Sequence, residues 1–504
     1  MDSARSFTNR LIVVLLAVFA VLVVSCSRQR GTPARPSAEL RYGVMSEPST
    51  LDPLSPSNSA DGNSILFNVF EGLLKPDTAG ALLPCLAESF AMEELGRIYR
   101  FRLRENVLFH DGSALTSADV QFSLETAAAA GFTGFGAVEK VDIIDAHSVC
   151  VVLQNPDPDF LPYLAVGIVK AGSSGRDKNA VGTGPYCIES YQTQRSLVLK
   201  KFAQYWQGGI PHLEKITIIF FADADALVLG LHSGSIDGAG LPYSLAQQLN
   251  PEKYDLVPGY SAMVQLLALN NNAPPFNDIR VRRAINYGID IQEIIDTAFY
   301  GKGEPSGSPL IPGLAAYYEP SLADPYPTDH IKAVSLLEEA GYGQQKLSFT
   351  ITVPSNFTMH TDTAQVIASQ LAKIGINAGI QLVDWAAWLS DVYFGRNYQA
   401  TIISLDSPNV SPRGFLARYC SDAANNFINF SNAEFDQVYN AVLGEPDADR
   451  RITLYREAQK IISDNAAGVY IQDMLGFRVF PAGVYGGILS YPLYVTDFAS
   501  IYPK

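Results

Sequence analysis

From Leu40 onward two apolar rhythms take turns along the chain, one with period two and one repeating every three to four residues. Such alternation, kept up for hundreds of residues, commits a chain to sheets covered by helices: an α/β fold with mixed sheets. Tyr99-Arg100-Phe101-Arg102-Leu103-Arg104 alternates apolar and basic residues, as a half-exposed strand does. Thr116 and Asp119 open a helix with capping-box spacing, and the run Asn155-Pro156-Asp157-Pro158-Asp159 breaks the pattern. Strands are expected over 186–202, 213–221, 376–383 and 399–405. Helices are expected over 223–233, 243–249, 329–340, 361–374, 384–394, 432–443 and 447–464. Asp278 caps a further helix, and Gly341 and Gly375 close two others. At 504 residues the chain exceeds one ordinary core, so two or three domains or lobes are expected.

The first residues set the compartment. Arg5 and Arg10 precede an unbroken apolar run from Leu11 to Val24, short for a bilayer span and suited to a signal peptide. Val23-Val24-Ser25-Cys26 follows and resembles a bacterial lipobox, which implies cleavage after residue 25 and a lipid on Cys26. An ordinary signal peptide or a marginal anchor helix is the alternative. Residues 26–38 are polar and Pro-bearing, a tether. The expected product is an extracytoplasmic body, periplasmic or at the cell surface, leashed to a bacterial membrane. Four cysteines remain, at 85, 150, 187 and 420, and their pairing is open. A net charge of −15 argues against nucleic acid as a partner. The sequence contains no HExxH, GxxxxGK[ST] or GxSxG string.

Several stretches, in order, resemble the bacterial extracellular solute-binding proteins of family 5, the dipeptide, oligopeptide and nickel type that feed ABC importers. LDPLSPSNSADGNSILFNVFEGLL is similar to that family's opening. LAESFAMEELGRIYRFRLRENVLFHDGSALTSADVQFSLE resembles its most diagnostic stretch. VGTGPY with KKFAQYW, LNNNAPPFNDIRVRRAINYGID and NFINFSNAEFDQVYN resemble its later segments.

The resemblance implies a periplasmic-binding-protein-like fold of type II, with two lobes, mixed sheets, a deep cleft and a smaller inserted domain. Lobe I would comprise 39–68, 179–262 and 485–504, the inserted domain 69–178, and the other main lobe 263–484. Hinges would lie near 262 and 485, and ligand would sit in the cleft. In the family's peptide binders an acid after a buried strand holds the peptide's ammonium; here that is Asp406, with Ser404 and Leu405 on the strand before it. A strand-end turn cap is the other reading of Asp406. Trp385 would line the cleft, or else pack in the core, for which Trp388 is the better candidate. Asn58, Ser59 and Ala60 form a loop that relatives use to pair with an extended peptide backbone; a solvated turn is the alternative.

The chain also departs from the pattern. Dipeptide binders carry an Arg near Val353-Pro354-Ser355-Asn356 that clamps the peptide's carboxylate, and none stands here. Arg396 or Arg413 could substitute, although each reads better as a surface charge. Longer peptides therefore fit better than strict dipeptides. The six His are scattered, which weighs against metal capture. His110-Asp111 reads as turn chemistry rather than catalysis. The expectation is a non-enzymatic, monomeric, lipid-anchored peptide receptor without cofactor, serving an ABC permease and ATPase. A transport-uncoupled peptide sensor and a nickel-chelate binder are the rivals.

Overall fold

The computed structural model describes residues 38–504 except 46, 59, 408–410 and 494. The leader, Cys26 and the tether lie outside the described residues.

A mixed sheet of eleven strands organises the chain. In spatial order it runs Asn377–Val383, Ser348–Pro354, Ala400–Asp406, Tyr254–Leu269, Gly468–Pro481, Gly238–Pro242, Glu39–Val44, Lys215–Phe220, Ser196–Lys201 and Tyr186–Gln192, with Glu304–Pro305 added beside Gly468–Pro481. Asn377–Val383 and Ser348–Pro354 are parallel, as are Glu39–Val44 and Lys215–Phe220. The strands at the centre are antiparallel.

Two long central strands position the site. Tyr254–Leu269 has 16 residues and Gly468–Pro481 has 14. Their register breaks between Tyr260 and Val264, where Ala262 takes a positive φ of 56°. An unpaired residue of this kind bends a strand locally. Apolar partners change across the break. Leu256 packs with Leu227, Leu241 and Phe477, whereas Val264 and Leu266 pack with Tyr398, Phe415 and Tyr455. The same change occurs on the partner strand, between Ile471 and Phe477. Gly468–Pro481 continues as one strand past this change of core, its inward residues serving one core and then another.

A separate antiparallel sheet has the order Ala87–Glu93, Ile98–Leu103, Ser148–Leu153, Val138–Asp145, and helix Ser117–Ala129 packs on it. Phe101, Phe109 and Leu124 from this part join Leu40, Ile216 and Phe480 in one continuous core.

Helices occur at Ala224–Ser233, Ile279–Gly288, His330–Glu339, Thr358–Lys373, Ala433–Gly444 and Ala448–Asp464, close to expectation. Asp278 accepts from Arg280 N at 2.8 Å, and Thr116 N donates to Asp119 Oδ2 at 2.7 Å. Gly341 and Gly375 take φ values of +95° and +83°, which L side chains rarely adopt. Two helices differ from expectation. The one at 243–249 is only Tyr243–Ala246, because Pro251 disfavours helical backbone at Asn250. The one at 384–394 is Trp385–Ala387 followed by a π-helical turn, Trp388–Phe394. All four described cysteines are free thiols. Among the described residues no helix is long and apolar enough to cross a membrane.

The motif residues hold this fold together. Glu71 is fully buried and accepts hydrogen bonds from Tyr205 Oη at 2.7 Å, Trp206 Nε1 at 2.9 Å and Thr183 Oγ1 at 3.1 Å. Burial pushes its pKa up and these bonds pull it back. Three separated sequence motifs thus meet on one carboxyl group. Arg282 donates to Phe276 O, Asn465 O and Ala466 O, pinning a helix to a distant turn.

Candidate ligand-binding cleft

A cleft of about 560 Å³ opens where the two long strands change cores. Its floor is Gly259 and Met474–Arg478. One wall is built from Tyr42–Met45, Gly240–Pro242 and Thr496. The other comes from Ala298–Tyr300 and the first turns of helix Thr358–Lys373, through Thr358, Met359 and Asp362. Most of the lining is apolar, with a few polar groups set into it, as in small-molecule sites generally.

Buried hydrogen bonds brace both walls. Asn68 donates through Nδ2 to Thr496 O at 2.8 Å and accepts from Phe498 N at 2.8 Å; Thr496 N donates to Ser64 Oγ at 2.9 Å. The C-terminal segment is thereby fastened to helix Ala60–Leu66. Under the other wall, Gln472 Nε2 donates to Gln265 Oε1 at 2.9 Å, and Gln265 Nε2 bonds Thr363 Oγ1 and His360 Nδ1, each at 3.1 Å. Burial pushes the His360 pKa down to about 4, so it is a neutral acceptor at pH 7. This amide network fixes the start of helix Thr358–Lys373 on the long strands.

Two charged side chains line the cleft. Arg478 is 8% exposed, and its Nη2 donates to Val495 O. A Cβ at Gly259 would lie 2.4 Å from Arg478 Nη1, so glycine there makes room for the guanidinium. Asp362 is exposed on one wall. Neither was anticipated from the sequence. The available signal for Arg478 was a lone cation within the apolar strand Gly468–Pro481.

The residues singled out from the sequence are not part of this lining. Asp406 ends its strand, paired with Met263, with its side chain exposed. Its carbonyl accepts from Arg418 Nη2 at 2.8 Å. It lies two strands over from Met474, about 10 Å at normal strand spacing. Ser404 is half-buried, with Oγ 3.9 Å from the Sδ of the cleft residue Met474, and Leu405 is buried in the core. Trp385 is 39% exposed and stacks on the buried Trp388 at 5.1 Å. It meets Phe357, the neighbour of Thr358, edge-on at 5.5 Å. Asn58 bonds its own loop: Thr50 N donates to Oδ1 at 3.3 Å, and Nδ2 donates to Asp52 O at 3.1 Å. Ser59 lies outside the described residues. Ala60 starts the helix whose Ser64 and Ile65 reach the cleft.

Arg413 is not a surface charge: it forms an ion pair with Asp157, bridging the loop after Ser148–Leu153 to helix Pro412–Leu416. Arg396 is held by Asn429 Oδ1 and Ala424 O. His110 is engaged by main chain, with Gly182 N donating to Nδ1 and Nε2 bonding Gly184 O, and burial lowers its pKa to about 4. Among the described residues no group of three or more His, Cys, Asp or Glu is arranged to hold a metal.

A mixed sheet with a braced cleft on its central strands is the architecture of a solute-binding protein. The chain belongs to the bacterial extracellular solute-binding proteins, family 5, whose middle-region profile matches residues 81–427. It is 29% identical over 485 residues to the glutathione-binding protein GsiB of Salmonella typhi, covering 89% of this chain and 93% of that one. It is 27% identical over 450 residues to heme-binding protein A of Haemophilus influenzae, covering 81% and 82%. The fold matches that of the periplasmic binding protein DppA from Helicobacter pylori in complex with peptide STSA, with a TM-score of 0.72 at 22% identity, covering 93% and 99%. Family 5 proteins are extracytoplasmic and work with an ABC permease and ATPase.

Proposed function

We propose that this chain is the lipid-anchored, non-enzymatic binding component of an ABC importer, capturing peptides longer than strict dipeptides. The observation that carries this reading is the position of the cleft. It sits on the strands that pass from one set of cores to the other, so a guest there touches both. Lobe I, with 485–504, and the inserted domain would form one half of the protein, and residues 263–484 most of the other. The hinges would lie at 260–264 and 472–476. Ligand contacts to both halves drive closure, and the empty protein is mostly open. Asp406, two strands over from Met474, takes the peptide's ammonium, Trp385 supplies an aromatic wall, and Ser404, Leu405 and the loop 58–60 offer main-chain partners. The lipid on Cys26 tethers a monomer beside its permease.

Mass spectrometry of ligand released from protein purified from its own host tests this. Peptides of three or more residues are expected. A metal chelate, a tetrapyrrole or another non-peptide solute would overturn the peptide assignment.

A further inference from the structure

Three other buried or half-buried arginines among the described residues are engaged by their neighbours. Arg282 has three carbonyl acceptors, Arg413 is paired with Asp157, and Arg176 is paired with Asp52 at 2.9 Å. Arg478 is different. It is as buried as Arg282, yet among the described residues its side chain has one hydrogen bond, to Val495 O, and no carboxylate lies within ion-pair distance of it. Its Nη1 lies against Gly259, where no side chain intervenes. The space it adjoins is the cleft, whose floor Arg478 shares with Gly259. A buried cation without a counter-charge is costly unless something supplies one. A guanidinium presents a planar fork that matches a carboxylate.

The rest of the lining narrows the ligand. Phe299, Met359, Met474 and Phe477 offer apolar surface beside Arg478. Asp362 stands on one wall with no hydrogen bond or ion pair among the described residues, which opposes a polyanion and favours a solute carrying one acid group.

We propose that Arg478 is the carboxylate anchor of this cleft, so that the solute is a zwitterion whose acid end lies against strand Gly468–Pro481 while its apolar body packs on the methionine and phenylalanine walls. The proposal rests on the cleft being the solute site. It assigns the carboxylate clamp to the cleft floor, on strand Gly468–Pro481, rather than to the wall that helix Thr358–Lys373 helps to build.

The test uses a mixed tripeptide and tetrapeptide library, with free C-termini and as C-terminal amides, titrated into the full-length protein and into Arg478→Gln. Wild type should bind the free acids at least roughly tenfold more tightly than the amides. Arg478→Gln should remove that preference by weakening the acids and leaving the amides nearly unchanged. Equal binding of acids and amides by wild type would overturn the assignment, and so would a parallel loss of both in the variant. If Arg478→Gln fails to fold, Arg478→Lys serves instead: it keeps the charge, loses the fork, and should reduce the preference. If wild type binds neither library, the peptide reading fails by itself. The Arg478 assignment is then judged on the solute that co-purifies from the host: one without an acid group overturns it, and an acid whose retention drops in the variant sustains it.

Discussion

Asp406 and Arg478 illustrate two different routes by which one residue becomes a candidate. Asp406 stands out because an acid ends a strand of largely buried residues that includes Thr401, Ile402 and Ile403. In the structure its side chain is exposed and bonded to nothing among the described residues, as a waiting ligand group would be. Replacing it by Asn should leave folding intact and weaken peptide binding at least roughly tenfold, about 1.4 kcal/mol. Calorimetric titration with a mixed peptide library measures this, and unchanged affinity would remove Asp406 from the site. Arg478 is not legible in the sequence, because one cation inside an apolar strand has no local signature of its neighbours. Only the strand order shows that Gly259, and not a carboxylate, lies beside it.

The junction of the loop after Ser148–Leu153 with helices Pro412–Leu416 and Ala448–Asp464 joins the first core to the second outside the large sheet. Asp159 is buried there and accepts from Tyr455 Oη at 2.5 Å and from Ser411 Oγ at 3.3 Å, while Arg413 pairs with Asp157 next to it. Tyr163, Tyr317, Tyr439 and Arg451 also face this group. Burial is the largest cause pushing the Asp159 pKa up to about 6; the Tyr455 bond pulls it back, Asp157 adds to the rise, and the two arginines oppose it. The folded state therefore favours the protonated acid. Its stabilising contribution is complete below about pH 4, the unfolded value, and is lost as pH rises through about 6. Asp159→Asn keeps an acceptor for Tyr455 and removes the titration. Thermal melts should show the variant gaining on the parent between pH 4 and pH 7, by an amount on the order of 3 kcal/mol. A constant difference across that range would refute the assignment. In the sequence this loop is legible only as a breaker. Its proline-flanked acids signal a turn, and nothing local indicates that helices more than two hundred residues away close over them.

For the whole molecule, the proposed lipid attachment can be tested apart from the folded body. The lipobox-like Val23-Val24-Ser25-Cys26 predicts that Cys26→Ser moves the protein from the membrane fraction to the soluble fraction without changing its melting temperature; persistence in the membrane fraction would defeat the lipoprotein reading. The elements themselves were largely legible. Periodicity, Asp caps and closing glycines act over a few residues, so helices such as Thr358–Lys373 and Ala448–Asp464 fall near their expected limits. The π-helical turn at Trp388–Phe394 was not legible, since its apolar spacing also suits an α-helix.

Local patterning within the chain determined its α/β character, its helix and strand limits and the family motifs that meet on Glu71. Tertiary structure alone decided that Arg478 and Asp362 face one cleft, that Arg413 is taken by Asp157, and that the cores change hands at 472–476. The physical reason is range. Backbone preference and amphipathic period are set by the nearest few residues, whereas the partner of a charge depends on which strands lie side by side, and the order of strands in this sheet departs widely from their order in sequence.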